Sequence, residues 1–202
     1  MKTFALILLL LMCHGVVLAQ DSGPRYELGV LGTYTFLKEI GSRDSGPGTE
    51  AAGIGGRFVY RAGRFLDLET DVIVLPGNAA TSGHRLEALL GAKTGLRFER
   101  FGLFLKARPG FIHFWRDPFG VGKPGASFLS HERARSTEPV MDLGGVIEYY
   151  TVRGLIVRFD LGDTRIRYAP RVVRTSDFVP PFSAGGFSTH NWQGSFGVGF
   201  RF

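Results

Sequence analysis

The sequence predicts an all-β fold, an eight-stranded up-and-down antiparallel barrel. Eight segments alternate apolar with polar or small residues, which is the period of a strand with two unlike faces. Beyond Gln20, no segment repeats its apolar residues at the spacing of a helix. The connections between segments alternate between short and long, as they do when consecutive strands run up and down around a barrel.

The first four segments each put apolar side chains on one face. YELGVLGTYTF (26–36) alternates aliphatic and aromatic residues with threonine, glycine and glutamate, and GIGGRFVYR (53–61) alternates aromatic residues with arginine. LDLETDVIV (66–74) is the most regular, because acids occupy successive alternate positions. RLEALLGAKTGLRF (85–98) alternates leucine and alanine with charges of both signs. Each segment is long enough for one barrel strand.

The last four segments continue the pattern. GLFLKARPGF (102–111) alternates leucine with basic residues, and VMDLGGVIEYY (140–150) alternates large apolar residues with acids. LIVRFDLG (155–162) sets an arginine and an aspartate against leucine, valine and phenylalanine. WQGSFGVGFRF (192–202) alternates aromatic residues with glycine, serine and glutamine. This final segment predicts a strand that reaches the last residue.

The connections predict which end of the barrel is which. Short connections are expected at 61–64, 99–100 and 151–154, and long ones at 38–51, 76–83, 115–138 and 163–190. Outer-membrane barrels have short turns on the periplasmic side and longer loops on the extracellular side. The pattern therefore predicts four long loops at one common end.

The first 19 residues are predicted to be a secretory signal peptide, and residues 20–202 one barrel domain. Lys2 precedes an apolar run from Phe4 to Met12, and the stretch closes on VLA (17–19), the small-x-small spacing that a signal peptidase recognises. Cys13 is the only cysteine, and Met12 stands where a lipidation signal has a small residue, so we expect no lipid anchor. A mature chain without cysteine excludes disulfides, thiolate catalysis and cysteine-ligated zinc.

The formal net charge of +6 narrows the class of partner. Such a charge in a soluble protein would suggest nucleic acid, but an exported chain rarely meets any. We therefore expect no nucleic-acid partner. The expected anionic partners are outer-membrane lipid headgroups and the phosphates of lipopolysaccharide.

The polar faces carry seven cations and seven anions near the centres of the segments. An unpaired buried charge costs several kcal/mol, whereas a paired one is close to neutral, so this balance favours ion pairs inside a narrow barrel. The predicted lumen ion-pair network consists of Arg57, Asp67, Glu69, Asp71, Glu87, Lys93, Arg97, Lys106, Arg108, Asp142, Glu148, Arg158, Asp160 and Arg201.

Two further features favour a membrane barrel. The segments are roughly 9–11 residues long, which is the length of a tilted strand across the hydrocarbon layer. Aromatic residues stand at segment ends, where membrane barrels have interfacial girdles. They are Tyr26, Phe36, Tyr60, Phe98, Phe101, Tyr149, Trp192 and Phe202. A soluble lipocalin-like carrier is an alternative, and it would turn its apolar face inward around a ligand.

The ending GVGFRF, the segment DLGGVIEYY and the rhythm of turns and loops resemble small eight-stranded outer-membrane proteins of the OmpA and OmpX type. The resemblance covers residues 25–202 and implies a closed transmembrane β-barrel in the bacterial outer membrane, with a salt-bridged, water-poor interior. It also implies a C-terminal signal for the barrel-assembly machinery, carried by Trp192, Phe196, Val198, Phe200 and Phe202. The periplasmic peptidoglycan-binding domain of full-length OmpA proteins is expected to be absent.

The interior of an eight-stranded barrel is just wide enough for side chains to fill, so a wide pore is not expected. We predict a non-catalytic, monomeric protein with a plugged lumen and a structural or surface-interaction role through four long extracellular loops. A narrow or gated ion path is the alternative. The acids Asp67, Glu69 and Asp71 could hold a cation, but the opposing basic residues argue against a metal, and no cofactor is expected.

The long connections raise two functional questions. Basic residues at 115–138 and 163–190 either clamp lipopolysaccharide phosphates or are solvated charge. Some eight-stranded barrels modify lipid A with a histidine, a serine and an acid near the outer rim. The candidates here are His84, His113, His131, His190 and Ser188. That family places serine two residues after histidine, where this chain has Trp192, so the enzyme is an alternative and no catalytic residue is predicted.

Overall fold

A computed structural model of the chain describes residues 24–37, 49–77, 83–115, 135–151, 153–173 and 182–202. The predicted signal peptide and Cys13 lie outside the described residues. Within the described ranges, no helix is long and apolar enough to cross a membrane.

The described residues form ten strands. They are β1 (Tyr26–Leu37), β2 (Thr49–Arg61), β3 (Leu66–Leu75), β4 (Arg85–Arg97), β5 (Phe101–Phe114), β6 (Ser136–Tyr150), β7 (Leu155–Tyr168), β8 (Arg171–Val173), β9 (Phe182–Ala184) and β10 (Phe187–Arg201). Eight of them close into an antiparallel barrel in the order β1-β10-β7-β6-β5-β4-β3-β2, while β8 pairs only with β9. The predicted all-β, eight-stranded, up-and-down barrel is confirmed.

The C-terminal strand closes the barrel. β10 pairs with β1 from Glu27 opposite Arg201 to Phe36 opposite Trp192. At the end of this seam, the Tyr26 N–H donates to the Phe202 carbonyl at 3.1 Å, and the Phe202 N–H donates to the Tyr26 carbonyl at 2.9 Å. Closure leaves no barrel strand with an open edge, which is the condition for a sheet surrounded by lipid.

Three tight turns mark one end of the barrel, called here the turn end. The Phe98 N–H donates to the Phe101 carbonyl at 2.7 Å, and the Thr151 N–H donates to the Leu155 carbonyl at 2.9 Å. Gly154 has a φ of 76°, a left-handed conformation that favours glycine. The opposite end, where β1 ends and β2 begins, is called the loop end.

Several strands extend further at the loop end than the sequence predicts. The predicted connections 38–51, 115–138 and 163–190 are wrong in their bounds, because β2 begins at Thr49, β6 begins at Ser136, β7 ends at Tyr168 and β10 begins at Phe187. Glu138, Arg165 and His190 therefore stand on strands.

The physical reason is a reversal of the alternating pattern. Along β7, the outward residues are apolar up to Leu161, but Arg165 and Arg167 are the exposed ones beyond it, while Ile166 and Tyr168 are buried. Alternation of apolar outward residues predicts a strand only as far as the outer face stays apolar. Backbone pairing does not depend on which face is apolar, so the strands continue.

Candidate functional site

The outer surface of the barrel is an apolar belt. Every barrel strand exposes large apolar side chains, up to 70% of the surface of Leu105 and 67% of Ile54. One example from each barrel strand is given by Val30, Ile54, Val72, Leu90, Leu105, Ile147, Phe159 and Phe196. Soluble monomers do not expose a continuous apolar surface of this size. The apolar face points outward, which is the reverse of the lipocalin-like carrier, so that alternative is wrong.

Aromatic side chains border this belt at both ends. At the turn end, the ring of Tyr26 lies 5.5 Å from that of Tyr60 and 6.1 Å from that of Phe202, between ring centroids. The rings of Phe98 and Phe101 stack at the same end, with 4.4 Å between their centroids. Towards the loop end, Phe36 and Trp192 face each other across the closing seam. Such girdles are typical of the membrane interfaces of barrels.

All fourteen residues of the predicted lumen network lie on the inner side of the barrel wall. Twelve are buried, whereas Arg97 and Arg201, near the turn end, are partly exposed. Thirteen of them take part in ion pairs with one another or with Glu27. Glu87 is the exception, since it makes no ion pair within the described part of the chain.

The central ring is a set of eight charged residues at mid-height. Its members are Arg57, Glu69, Asp71, Lys106, Arg108, Asp142, Arg158 and Asp160. Arg158 bridges two strands, with 2.7 Å from a guanidinium nitrogen to Glu69 Oε2 and 2.7 Å from another to Asp160 Oδ1. Arg108 contacts Glu69, Asp71 and Asp142. Each carboxylate of the central ring therefore contacts more than one basic side chain, and the four acids balance the four bases of the ring.

The lower ring lies nearer the turn end. Its members are Glu27, Asp67, Lys93, Arg97, Glu148 and Arg201. Lys93 contacts Glu148 directly and lies 3.4 Å from Asp67 Oδ2. A 3.6 Å contact between Arg158 and Glu148 joins this ring to the central ring. Glu27 is missing from the predicted network, although its place on the polar face of the first segment was a sufficient signal.

Hydrogen-bonded amides and hydroxyls lie beside the central ring. Thr164 Oγ1 donates to Gln193 Oε1 at 2.5 Å, and Gln193 Nε2 donates to Thr33 Oγ1 at 3.2 Å. Ser195 Oγ donates to the same Thr33 oxygen at 2.9 Å. These residues connect β1, β10 and β7 across the closing seam, so the polar interior is continuous around that seam.

Towards the loop end the lumen is filled by apolar side chains, called here the apolar plug. Its buried members are Leu31, Ala51, Ile73, Leu75, Leu89, Ile112, Phe114, Val140, Ile166 and Tyr168. The ring of Tyr168 stacks on that of Phe187 with 5.0 Å between centroids. The sequence pattern does not predict this layer, because the inner faces of the eight segments are predicted to be polar throughout.

Arg85 and Glu87 accompany the apolar plug on β4. Both are 2% exposed, and Arg85 Nε and Glu87 Oε1 have no hydrogen-bond partner among the described residues. Arg85 was not in the predicted network. Glu87 was, and it is the one predicted member that the structure leaves outside both rings.

The three acids considered for a cation are all held by basic side chains. Asp67 contacts Lys93 and Arg97, and Glu69 contacts Arg108 and Arg158. Asp71 is 2.8 Å from the Arg57 Nε. Within the described ranges, no group of three potential ligands could hold a metal ion. The positive charges that balance these acids are side chains of the chain itself.

The candidate histidines that the structure describes lie outside the lumen. His113 Nδ1 is 2.8 Å from Thr137 Oγ1, and its ring meets Trp115 edge-on. His190 Nδ1 is 2.6 Å from Asp163 Oδ2 on the outer wall. His84 is exposed near the loop end, and His131 lies outside the described residues. Ser188 stands on β10 two residues before His190, but the described structure contains no hydrogen bond between them.

The residues of the predicted assembly signal form one lipid-facing row. Trp192, Phe196, Val198, Phe200 and Phe202 are all exposed on the outer side of the closing seam. Arg201, between the last two, points inward to the lower ring. The row is therefore an apolar stripe on the outer side of the last strand, with one charged residue, Arg201, on the inner side of that strand.

No family model and no curated protein matches the sequence. The fold is similar to the N-terminal β-barrel domain of Pseudomonas aeruginosa OprF, with a TM-score of 0.56, 14% identity, and coverage of 89% of this chain and 98% of that domain. Neisserial surface protein A is similar with a TM-score of 0.51 and 13% identity, over 88% of this chain and 96% of that protein. The outer membrane protein OprG of Pseudomonas aeruginosa is similar with a TM-score of 0.51 and 10% identity, over 89% of this chain and 97% of that protein. The chain therefore has the fold of small outer-membrane barrels, which supports the predicted outer-membrane location.

Proposed function

We propose that the protein is a monomeric, non-catalytic barrel of the bacterial outer membrane, with a closed lumen and a structural or surface-interaction role at its loop end. The observation that carries this proposal is the filling of the lumen at successive levels. The lower ring, the central ring and the apolar plug follow one another along the barrel. A permeation pathway would have to cross all three.

The energies support a closed lumen. Removing one partner from a buried ion pair costs about 3–5 kcal/mol, so an ion that displaced Arg158 or Asp142 would meet a barrier of that order. The apolar plug adds a second obstacle, because water and ions leave narrow apolar constrictions. An ion that passed one layer would still face the other.

The dimensions of the apolar belt support a membrane location. Along β10 and the residue after it, the outward side chains from Phe202 to Trp192 are apolar or glycine. Ten residue steps at about 3.3 Å each, tilted by roughly 40°, span about 25 Å along the barrel axis. This is the height of the apolar band of an outer-membrane barrel.

The loop end is proposed as the interacting surface. Beyond Trp192 and Met141, the outer wall becomes polar, as at Thr137, Arg165 and His190. Polar side chains on the outer face of a wall are stable in water and unfavourable in hydrocarbon. This part of the barrel is therefore proposed to extend beyond the hydrocarbon layer and to carry the loops. Lipopolysaccharide and the barrel-assembly machinery are the proposed envelope partners.

The experiment is reconstitution of the purified full chain into planar lipid bilayers. Folding is first verified by the difference in gel mobility between boiled and unboiled samples, and a known porin serves as the conducting control. We expect a mobility shift and no conductance steps. Repeated openings would overturn the closed lumen, and a water-soluble species without a mobility shift would overturn the membrane location.

A lipid-modifying hydrolase is the second candidate, and one contact favours it. The 2.6 Å pair of His190 and Asp163 is exposed on the outer wall, where Asp163 would orient a general base and Ser188 would be the nucleophile. The test is mass spectrometry of lipid A from cells that express the wild type, His190→Ala or Ser188→Ala. We expect identical spectra. A modified lipid A that both substitutions abolish would favour the hydrolase over the proposed function.

A further inference from the structure

Two arginines stand on the outer wall just beyond the apolar belt. Arg165 and Arg167 occupy alternate positions of β7, both exposed, so their Cα atoms are about 7 Å apart on one face. Arg165 lies opposite His190 on one side and Met141 on the other, and Arg167 lies opposite Ser188. The patch of Arg165 and Arg167 is called here the outer-wall patch.

The arginines of the outer-wall patch have no ion-paired counter-charge within the described chain. Neither arginine takes part in an ion pair there, although Asp163 lies on the same face of β7. The carboxylate of Asp163 is engaged instead by His190, at 2.6 Å. Two like charges this close repel each other, and they are stabilised when an anion bridges them.

The level of the patch decides which anion is available. Asp163 lies opposite Trp192, a girdle residue with 63% of its surface exposed, and Arg165 lies one outward position further towards the loop end. Leu161 and Leu143, on the side towards the turn end, belong to the apolar belt. The guanidinium groups therefore reach the level of lipid headgroups, directly above acyl chains.

We propose that Arg165 and Arg167 form a binding site for the phosphate of a phosphorylated membrane lipid, whose acyl chains lie on the adjoining apolar belt. The guanidinium fork matches phosphate oxygens in a bidentate geometry, and a second arginine two positions away accommodates the remaining oxygens. This inference rests on the proposed function, because it requires the belt to face lipid.

The test is tryptophan quenching by brominated lipids in vesicles. Trp115→Phe leaves Trp192 as the only tryptophan, since the chain has two. The full chain is folded into phosphatidylcholine vesicles that contain a minor fraction of phosphatidic acid, with either the phosphatidic acid or part of the phosphatidylcholine brominated. The ratio of the two quenching efficiencies gives the preference for the phosphomonoester at this surface.

The matched variants carry equal changes of charge. Arg165→Gln with Arg167→Gln removes the outer-wall patch, and Arg100→Gln with Arg153→Gln removes two exposed arginines of the turn end. We expect the preference for phosphatidic acid to fall about fivefold for each patch arginine removed, and to be unchanged in the turn-end variant. Inorganic phosphate is added in a further arm, against sodium chloride at the same ionic strength.

Each outcome is decisive. Equal quenching by both lipids in the parent, or an unchanged preference in the patch variant, overturns the site. Displacement of phosphatidic acid by inorganic phosphate, but not by sodium chloride, assigns the site to a soluble phosphate and overturns the lipid assignment. Absence of quenching by either brominated lipid overturns the membrane location itself, and so separates failure of the proposed function from failure of this site.

Discussion

The two halves of this barrel follow opposite rules of burial. Towards the turn end, charged residues such as Arg158 fill the interior and residues such as Leu105 cover the outside. Towards the loop end, the interior contains Leu89 and Phe114, and the outside carries His113 and Arg165. The backbone pattern is the same in both halves. We propose that lipid surrounds the half towards the turn end and the adjoining part of the other half, as at Leu90, and that water surrounds the wall beyond it, as at Arg165. The surrounding solvent decides which side chains face outward.

The largest expected effect comes from the charged half. Arg158→Leu leaves Glu69 and Asp160 buried without this cation, so the free energy of unfolding is expected to fall by about 3–5 kcal/mol. The measurement is urea unfolding of the chain folded into lipid vesicles, followed by tryptophan fluorescence. An unchanged midpoint would contradict a structural role for the central ring.

In the apolar half the expected loss comes from a cavity. Leu89→Ala is expected to lower the free energy of unfolding by about 3–5 kcal/mol, because the plug residue is 1% exposed and its neighbours fill the space only partly. Leu90→Ala, one residue along, faces lipid and is the control. It is expected to cost about 1–2 kcal/mol, since lipid flows into the space. Equal losses in the same urea experiment would show that the plug is loosely packed.

On β5, one substitution in each half compares the cost of placing a charge on the outer face. Leu105→Arg places a charge in the middle of the belt and is expected to cost about 2–4 kcal/mol, whereas His113→Arg, nearer the loop end, is expected to cost about 0–1 kcal/mol. Both variants are refolded into vesicles and unfolded in urea. A larger loss at His113 would place that position in the hydrocarbon and move the boundary between the halves.

The smallest effect is expected where the halves meet. Glu87→Gln removes a carboxylate that makes no ion pair within the described chain, so the free energy of unfolding is expected to change by less than about 1 kcal/mol. Glu69→Gln, which breaks contacts to Arg108 and Arg158, is the matched control and is expected to cost about 3–5 kcal/mol. Equal effects would mean that Glu87 belongs energetically to the central ring.

The sequence predicts the half towards the turn end well, because there a single outward apolar face persists along each strand. It does not predict the loop end, where inward residues such as Ile73 and Ile166 share a face with charges and so interrupt the pattern. The sequence also does not predict which charged residues pair with each other within the two rings. Arg158 and Glu69 are 89 residues apart and lie on β7 and β3, which are not neighbours, so their contact depends on how the barrel closes.

The closing seam has a consequence for the timing of folding. Arg201 and Glu27 meet across a separation of 174 residues, and the two strands that carry them are the last and the first of the barrel. Contacts between such distant residues make folding slow, because the chain entropy is lost before the contact forms. The barrel cannot close before its last strand has been synthesised and exported. Until then, every segment with an apolar face must be kept from aggregating on its way to the membrane.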